Sequence, residues 1–322
     1  MRAVFYEANG PARDVLRIGD VETPSPGVGE VRVRLYASGV NPSDVKSRGH
    51  RKSPFPLVIP HSDGAGEIEA VGPGVAKSRL GERVWIWNGQ WQRPFGTAAE
   101  FIALPAAQAV PLPDALSFEE GAALGIPALT AYHAIELAGV GQGTTLLVSG
   151  GAGAVSQFAI QFAKARGATV ISTISSPDKA MAAREAGADH CIDYKRENVG
   201  DRIADITGRR GVDAITEMDL TANAGLIPAV LRPNGKVIVY GTGAEATIPA
   251  FAFLANSIQL DFFLIYQLDA QQRERAVAGV TRALAQGEAV ARIGRTFPLS
   301  ETAAAHEAVE GGTIGNVIVK IE

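Results

Sequence analysis

Val148-Ser149-Gly150-Gly151-Ala152-Gly153-Ala154-Val155-Ser156 decides the fold of this 322-residue chain. A short apolar run, Thr145-Leu146-Leu147-Val148, leads into it. Val155 to Arg166 leads out, with apolar residues at Val155, Phe158, Ala159, Phe162 and Ala163, the spacing of one helix face, and Gly167 as the stop. A glycine cluster between strand and helix fits G-x-G-x-x-G, except that serine takes the last place. Gly151 permits the tight turn, Gly153 lets the backbone approach a pyrophosphate, and Ser156 is small enough for helix and strand to pack closely. The free N–H groups of the helix then face the phosphates.

Downstream the text keeps alternating. Thr169-Val170-Ile171-Ser172-Thr173 reads as the next strand, Ser176-Pro177 as an N-cap with proline in the first helical position, and Lys179 to Ala186 as a helix stopped by Gly187. Cys191-Ile192, Val212 to Thr216 and Lys236 to Tyr240 are further strands with helical stretches between. This predicts an α/β fold, a doubly wound parallel sheet. Ile258 to Tyr266 is an apolar β-prone run, Gln271 to Gln286 a helix, and Asn316 to Ile321 a last strand.

Upstream the chain reads as β-rich. Val31-Arg32-Val33-Arg34-Leu35-Tyr36 alternates after the turn cluster Pro24-Ser25-Pro26-Gly27, and the runs 66–71, 83–87 and 99–103 follow, each bounded by Gly or Pro. Ser117-Phe118-Glu119-Glu120 is a capping box that starts a helix, and Pro127 predicts a break and a second helix.

An NAD site places Asp or Glu at the tip of the second strand, about 20 residues beyond the glycines. Here the tip reads Thr173-Ile174-Ser175-Ser176, and Lys179 follows. Hydroxyls and a cation suit a 2′-phosphate, so NADPH is expected over NADH.

Composition removes other classes. One cysteine, Cys191, rules out an intramolecular disulfide and cysteine-rich zinc modules. A net charge of −4, without a basic stripe, argues against nucleic acid. The densest basic run, Arg48-Gly49-His50-Arg51-Lys52, is expected to be a solvated loop. No apolar run is long enough for a bilayer span. Met1 to Tyr6 meets Glu7 and Asn9 too soon for a signal peptide, so a cytoplasmic protein is expected.

Blocks along the whole length then resemble the medium-chain dehydrogenase/reductase superfamily, most of all its zinc-free quinone oxidoreductase (zeta-crystallin-like) branch. They are Gly39-Val40-Asn41-Pro42-Ser43-Asp44, Gly64-Ala65-Gly66, the runs 70–75 and 81–84, Ala122 to Tyr132, the glycine turn, Glu185 to His190 and Gly235 to Gly241. The resemblance implies a GroES-like β-rich domain over residues 1–124, completed by 267–322, and a Rossmann NADPH-binding domain over 125–266, with the nicotinamide in the cleft between them. It implies that Asn41 and Thr130 approach the nicotinamide and its ribose. Gly151, Ala152, Gly153, Ala154 and Val155 would line the pyrophosphate, and Ser175, Lys179 and Tyr194 would hold the 2′-phosphate. Tyr240, Gly241, Phe263 and Leu264 would flank the nicotinamide end, and Asn316 would take the place of a basic residue near the 2′-phosphate. The superfamily's catalytic zinc ligands would fall at Asn41, Ser62 and Ile126, so no metal is expected. The 258–266 strand would pair across a homodimer.

The implied activity is NADPH-dependent reduction of a small quinone, by hydride or electron transfer from the nicotinamide and without zinc. Asn41, His61 and Lys46 are the substrate-side candidates, with Arg48 and His50 nearby. Lys46, Arg48 and His50 read more simply as a basic rim. His61 reads equally as a site residue or as a structural hydrogen-bonding partner near Asp44 and Asp63. His133 and His306 read as surface or packing residues, and Asp44 as orienting Arg48 or backbone amides. Two alternatives stay open: reduction of an activated C=C bond in an enal, enone or enoyl thioester, and a non-catalytic NADPH-binding protein.

Overall fold

The start of the chain forms a two-stranded antiparallel ribbon, β1 (Arg2–Phe5), which buries Ala3 and Val4, and β2 (Arg17–Asp20). The structure is a computed structural model that describes residues 1–51 and 53–322. The long β3 (Glu30–Val40) follows and leads into helix α1 (Pro42–His50). Next come β4 (Asp63–Val71), β5 (Arg83–Ile86), β6 (Phe101–Pro105) and β7 (Ala109–Pro111). The capping box behaves as expected: Ser117 Oγ accepts from the Glu120 amide. Pro127 marks no clean break. It sits inside a π-helical turn, Leu124–Ala128, that runs directly into α2 (Leu129–Ala138).

From there the alternation is regular. β8 (Thr145–Val148), α3 (Ala154–Ala165), β9 (Thr169–Ile174), α4 (Pro177–Glu185) and β10 (His190–Asp193) follow in turn. Then come β11 (Val212–Glu217), β12 (Leu231–Val239) and β13 (Gln259–Phe262). α5 (Ala270–Ala285) ends this part, and β14 (Ile293–Pro298), α6 (Thr302–Glu310) and β15 (Asn316–Lys320) close the chain. The strand predicted over 258–266 is shorter than its apolar run: Phe263 still bonds Val239 through its amide, and the chain then turns through Ile265–Gln267.

The chain divides into two compact units, Met1–Pro127 with Ala291–Glu322, and Ala128–Val290. In the first, the described residues form a seven-stranded sheet ordered β14-β15-β3-β4-β5-β7, with β6 also on β3. Val31, Val33 and Leu35 of β3 turn inward against Ile68, Val84, Ile86, Ile102 and Leu104, all at most 2% exposed. Each such side chain stabilises the unit by ~1.5–3 kcal/mol.

In the second unit the described residues form a six-stranded parallel sheet ordered β10-β9-β8-β11-β12-β13. The order reverses between β8 and β11, the switch point where doubly wound sheets bind ligands. The first unit resumes at Ala291 rather than at residue 267, because α5 packs on α2. Gly279 lies so close to the Tyr132 ring that a Cβ there would come within 2.0 Å of it, and Arg282 donates to the Tyr132 hydroxyl at 3.2 Å.

Candidate active site

In the parallel-sheet unit, backbone geometry shapes the turn between β8 and α3. Gly150 takes φ +66°, and a Cβ on Gly151 would lie 2.0 Å from Ser172 Oγ, so both positions need glycine. Gly153 is the N-cap of α3 and brings no capping side chain. The ends of other helices contrast with it: Ser176, Asn198, Asp219 and Asp269 each accept an amide through a side-chain oxygen. The first-turn amides of α3, on Ala154, Val155 and Ser156, have no acceptor within the helix. Together with the helix dipole they suit an anion. Ser156 is buried, and its hydroxyl donates to Ser149 O at 2.9 Å, tying helix to strand. Gln157 closes the turn from behind, donating to Gly151 O at 2.6 Å.

At the end of β9, Lys179 Nζ donates to Ser175 Oγ at 3.2 Å, while Ser176 caps α4. Tyr194 is half exposed, and its amide bonds Ile174 O at 3.1 Å, which holds it beside the same strand tip. Ser175, Lys179 and Tyr194 therefore share one end of the sheet, and residues 173–176 of the tip carry no carboxylate, the next in sequence being Asp178.

The switch point holds a residue that the sequence reading missed. Glu217 ends β11 and is 1% exposed. It accepts from Ser149 Oγ at 2.7 Å, the Asp219 amide at 2.6 Å and Asn223 Nδ2 at 2.9 Å. The signal was an acid closing the predicted strand Val212 to Thr216. Tyr240 follows β12, and its hydroxyl lies 3.4 Å from Ser156 Oγ. Burial pushes that phenol well above its ordinary range. A Cβ on Gly241 would meet Met218 O at 2.1 Å. Phe263 packs edge-on against His133, and Leu264 is exposed. Thr130 is 4% exposed, and its hydroxyl has no hydrogen-bonding partner among the described residues.

The first unit carries the other group. Asn41 follows β3 as the N-cap of α1, its amide bonded to Asp44 Oδ2 at 2.7 Å. Its Nδ2 donates to Asp63 Oδ2 at 2.8 Å, and the Ile126 amide reaches the same carboxylate at 2.9 Å. Burial raises both acids: Asp44 is pushed up to about 7, and Asp63 well above the usual carboxylate range, against the pull of its donors. Asp44 thus orients a backbone amide, as expected. The positions matching a catalytic zinc do not fit one: the Asn41 amide is spent on Asp63, and Ile126 has no donor atom. Among the described residues no three His, Cys, Asp or Glu side chains gather as metal ligands.

Several expectations are corrected. Arg48 is no rim residue. It is 2% exposed and bonds Gly10 O and Glu310, because α1 replaces the expected solvated loop. Lys52, the end of that run, lies outside the described residues. Lys46 is exposed on α1. Asn316 is buried at the start of β15 and donates to Arg292 O at 3.0 Å, a structural clamp within the first unit. His61 is fully buried with both ring nitrogens engaged, and one partner is His306, which is itself fully buried. His133 is a packing residue.

Two family models match the chain: one described as the alcohol dehydrogenase GroES-like domain over residues 27–114, and one described as zinc-binding dehydrogenase over 154–282. The quinone oxidoreductase of Rattus norvegicus is 31% identical over 99% of this chain and 97% of its own. Among solved structures, an NAD-dependent alcohol dehydrogenase matches with TM-score 0.90 at 30% identity, covering 100% of both chains. A mycobacterial protein complexed with NADPH matches with TM-score 0.89 at 27% identity, again over 100% of both.

Proposed function

We propose that this chain, which belongs to the quinone oxidoreductase branch of the medium-chain dehydrogenase/reductase superfamily, reduces quinones at the expense of NADPH and without zinc. The chain is an NAD(P)-dependent oxidoreductase with a Rossmann unit and a GroES-like unit. The observation that carries the NADPH reading is the tip of β9, where Ser175 and Lys179 stand in hydrogen-bonding contact and residues 173–176 include no acid.

A bound nicotinamide supplies the hydride, so the protein's task is to hold and orient. The uncapped amides of Ala154, Val155 and Ser156 bind the pyrophosphate. Ser175, Lys179 and Tyr194 bind the 2′-phosphate, with Lys179 giving the charge-assisted contact. In the parallel-sheet unit, Thr130, whose buried hydroxyl has no hydrogen-bonding partner among the described residues, is read as meeting the nicotinamide ribose; in the first unit, Asn41, held by Asp63, is read as meeting the nicotinamide. Tyr240, Gly241, Phe263 and Leu264 exclude water there. The zinc positions offer no ligand set, so no step runs through a metal. A reduced quinone is a stabilised oxyanion that takes its proton from water, which is why His61 and Lys46 need not act as acids.

A homodimer and a cytoplasmic setting belong to the same proposal. Among the described residues β13 is an edge strand with no strand partner on its outer side, and Phe262, Leu264, Phe251 and Leu254 are all exposed. Such an edge favours a covering partner. Among the described residues no helix is long and apolar enough to cross a membrane.

Stopped-flow oxidation of NADPH with 9,10-phenanthrenequinone or 1,4-benzoquinone tests the reading, with NADH and a crotonyl thioester or enone as controls. Fast quinone-dependent oxidation selective for NADPH is expected. Turnover of the enone or thioester alone would transfer the reading to activated C=C reduction. Tight NADPH binding without turnover would leave a cofactor-binding protein.

A further inference from the structure

Inside the first unit, side chains far apart in sequence form one buried hydrogen-bond series. His306 of α6 and His61, in the segment before β4, face each other Nε2 to Nε2 at 2.9 Å. His61 Nδ1 lies 2.8 Å from Ser38 Oγ, and Ser38 Oγ lies 2.7 Å from Thr97 Oγ1. The Thr97 hydroxyl donates to the main-chain oxygen of Asp63 at 2.5 Å. His306, His61, Ser38 and Thr97 are all 0% exposed. His61 also holds φ +78°, a region that favours glycine, and an ordered side chain in such a conformation asks for a reason.

The donor directions follow one from another. A carbonyl only accepts, so the single Thr97 proton goes to Asp63. Ser38 must then donate to Thr97, and its own oxygen accepts Nδ1–H from His61. Burial keeps both imidazoles neutral at pH 7. A neutral His61 protonated at Nδ1 has a lone pair on Nε2, so His306 donates Nε2–H to it. His306 Nδ1 is thereby left as a bare acceptor, and that buried atom has no hydrogen-bonding partner among the described residues.

The series ends on a carbonyl, so it passes no proton onward; it holds geometry. What it holds is Asp63, whose carboxylate carries the Asn41 amide and the Ile126 amide. A second tie works on the same segment, since the Thr97 amide bonds His61 O at 3.0 Å. We infer that His306 and His61 are positioning residues: they lock the 61–63 segment so that the Asp63 carboxylate presents the Asn41 carboxamide in one orientation. The inference rests on the reading of Asn41 as the residue that meets the nicotinamide.

The first measurement uses the ligand-free full chain. Long-range 15N–1H correlation spectra of the imidazoles are expected to show His61 as the Nδ1–H tautomer and His306 as the Nε2–H tautomer, both neutral at pH 7. The opposite tautomer on either ring, or a cationic ring, overturns the series. The second compares His306→Phe, which fills space without a donor, with His306→Gln, which restores a terminal N–H. The Phe variant should lower single-turnover NADPH oxidation about tenfold while the NADPH Kd stays within about twofold, and Gln should recover most of the rate. A drop in Tm with an unchanged rate per folded molecule would make the pair structural only and sink the inference. Should His306→Phe not fold, His61→Gly suits the backbone and is expected to fold and show the same rate loss. If the wild type turns over no acceptor, the reaction reading fails separately. The Asn41 side-chain amide resonances then decide: their loss in His306→Phe and return in His306→Gln support the inference, and unchanged resonances overturn it.

Discussion

In the function proposed above, single side chains carry the cofactor preference. Lys179 adds a cation to a strand tip that otherwise offers only hydroxyls, so Lys179→Ala should weaken NADPH roughly tenfold or more and NADH within about twofold, read by fluorescence titration. Equal losses for both would remove Lys179 from the 2′-phosphate. The buried histidines set a different quantity. Burial, with the Arg48 charge as a lesser cause, depresses His306 to about 3, and burial with His306 as neighbour depresses His61. The unfolded chain therefore binds protons below about pH 6.5 that the folded chain refuses, so this stability is present above pH 6.5 and is lost as pH falls toward the folded values. Asp44, raised to about 7, acts in the opposite sense over the same range. Urea melts of wild type and His306→Gln should separate the two: the advantage of wild type should shrink by roughly 2–3 kcal/mol between pH 6.5 and pH 4. A difference that does not vary with pH would mean His306 is already charged in the folded state.

Elements were legible where local chemistry alone writes them. The start of α3 followed from glycines between an apolar run and a 3.6-residue stripe, and the starts of α4 and of the helix at Ser117 from serine caps. The close approach at Gly151 makes a sharp test: Gly151→Ala drives a methyl into Ser172 Oγ and should cost about 1–3 kcal/mol, seen as a lowered Tm with weaker NADPH binding. An unchanged Tm would mean that the β8–α3 turn tolerates a side chain. Legibility failed where distant segments decide. Nothing near His306 in sequence announces His61, and nothing near Arg48 announces Glu310, so one read as a surface or packing residue and the other as a rim charge. The 258–266 run was read as strand throughout because apolar, β-prone residues do not record where pairing with β12 stops. Glu217 went unread because an acid at a strand end acquires meaning only once β11 lies beside β8.

For the molecule as a whole, the exposed apolar edge is the feature a partner would change most. Phe262→Glu, aimed at an outward side chain of β13, should convert a dimer into a monomer by light scattering while leaving the parallel sheet intact. A wild type that is already monomeric at micromolar concentration would retire the dimer proposal. The boundary at Ala291 also has a consequence in time. β3 waits for β15, which pairs Val317 with Val40 and Lys320 with Ala37, so the first sheet joins strands that lie on either side of the parallel-sheet unit in sequence. Closing so long a loop is slow, whereas the parallel-sheet unit lies within one uninterrupted stretch. On a ribosome the later-translated unit is therefore expected to mature first, and the earlier one to stay open until the last strand emerges, with the α6 histidine arriving only moments before it.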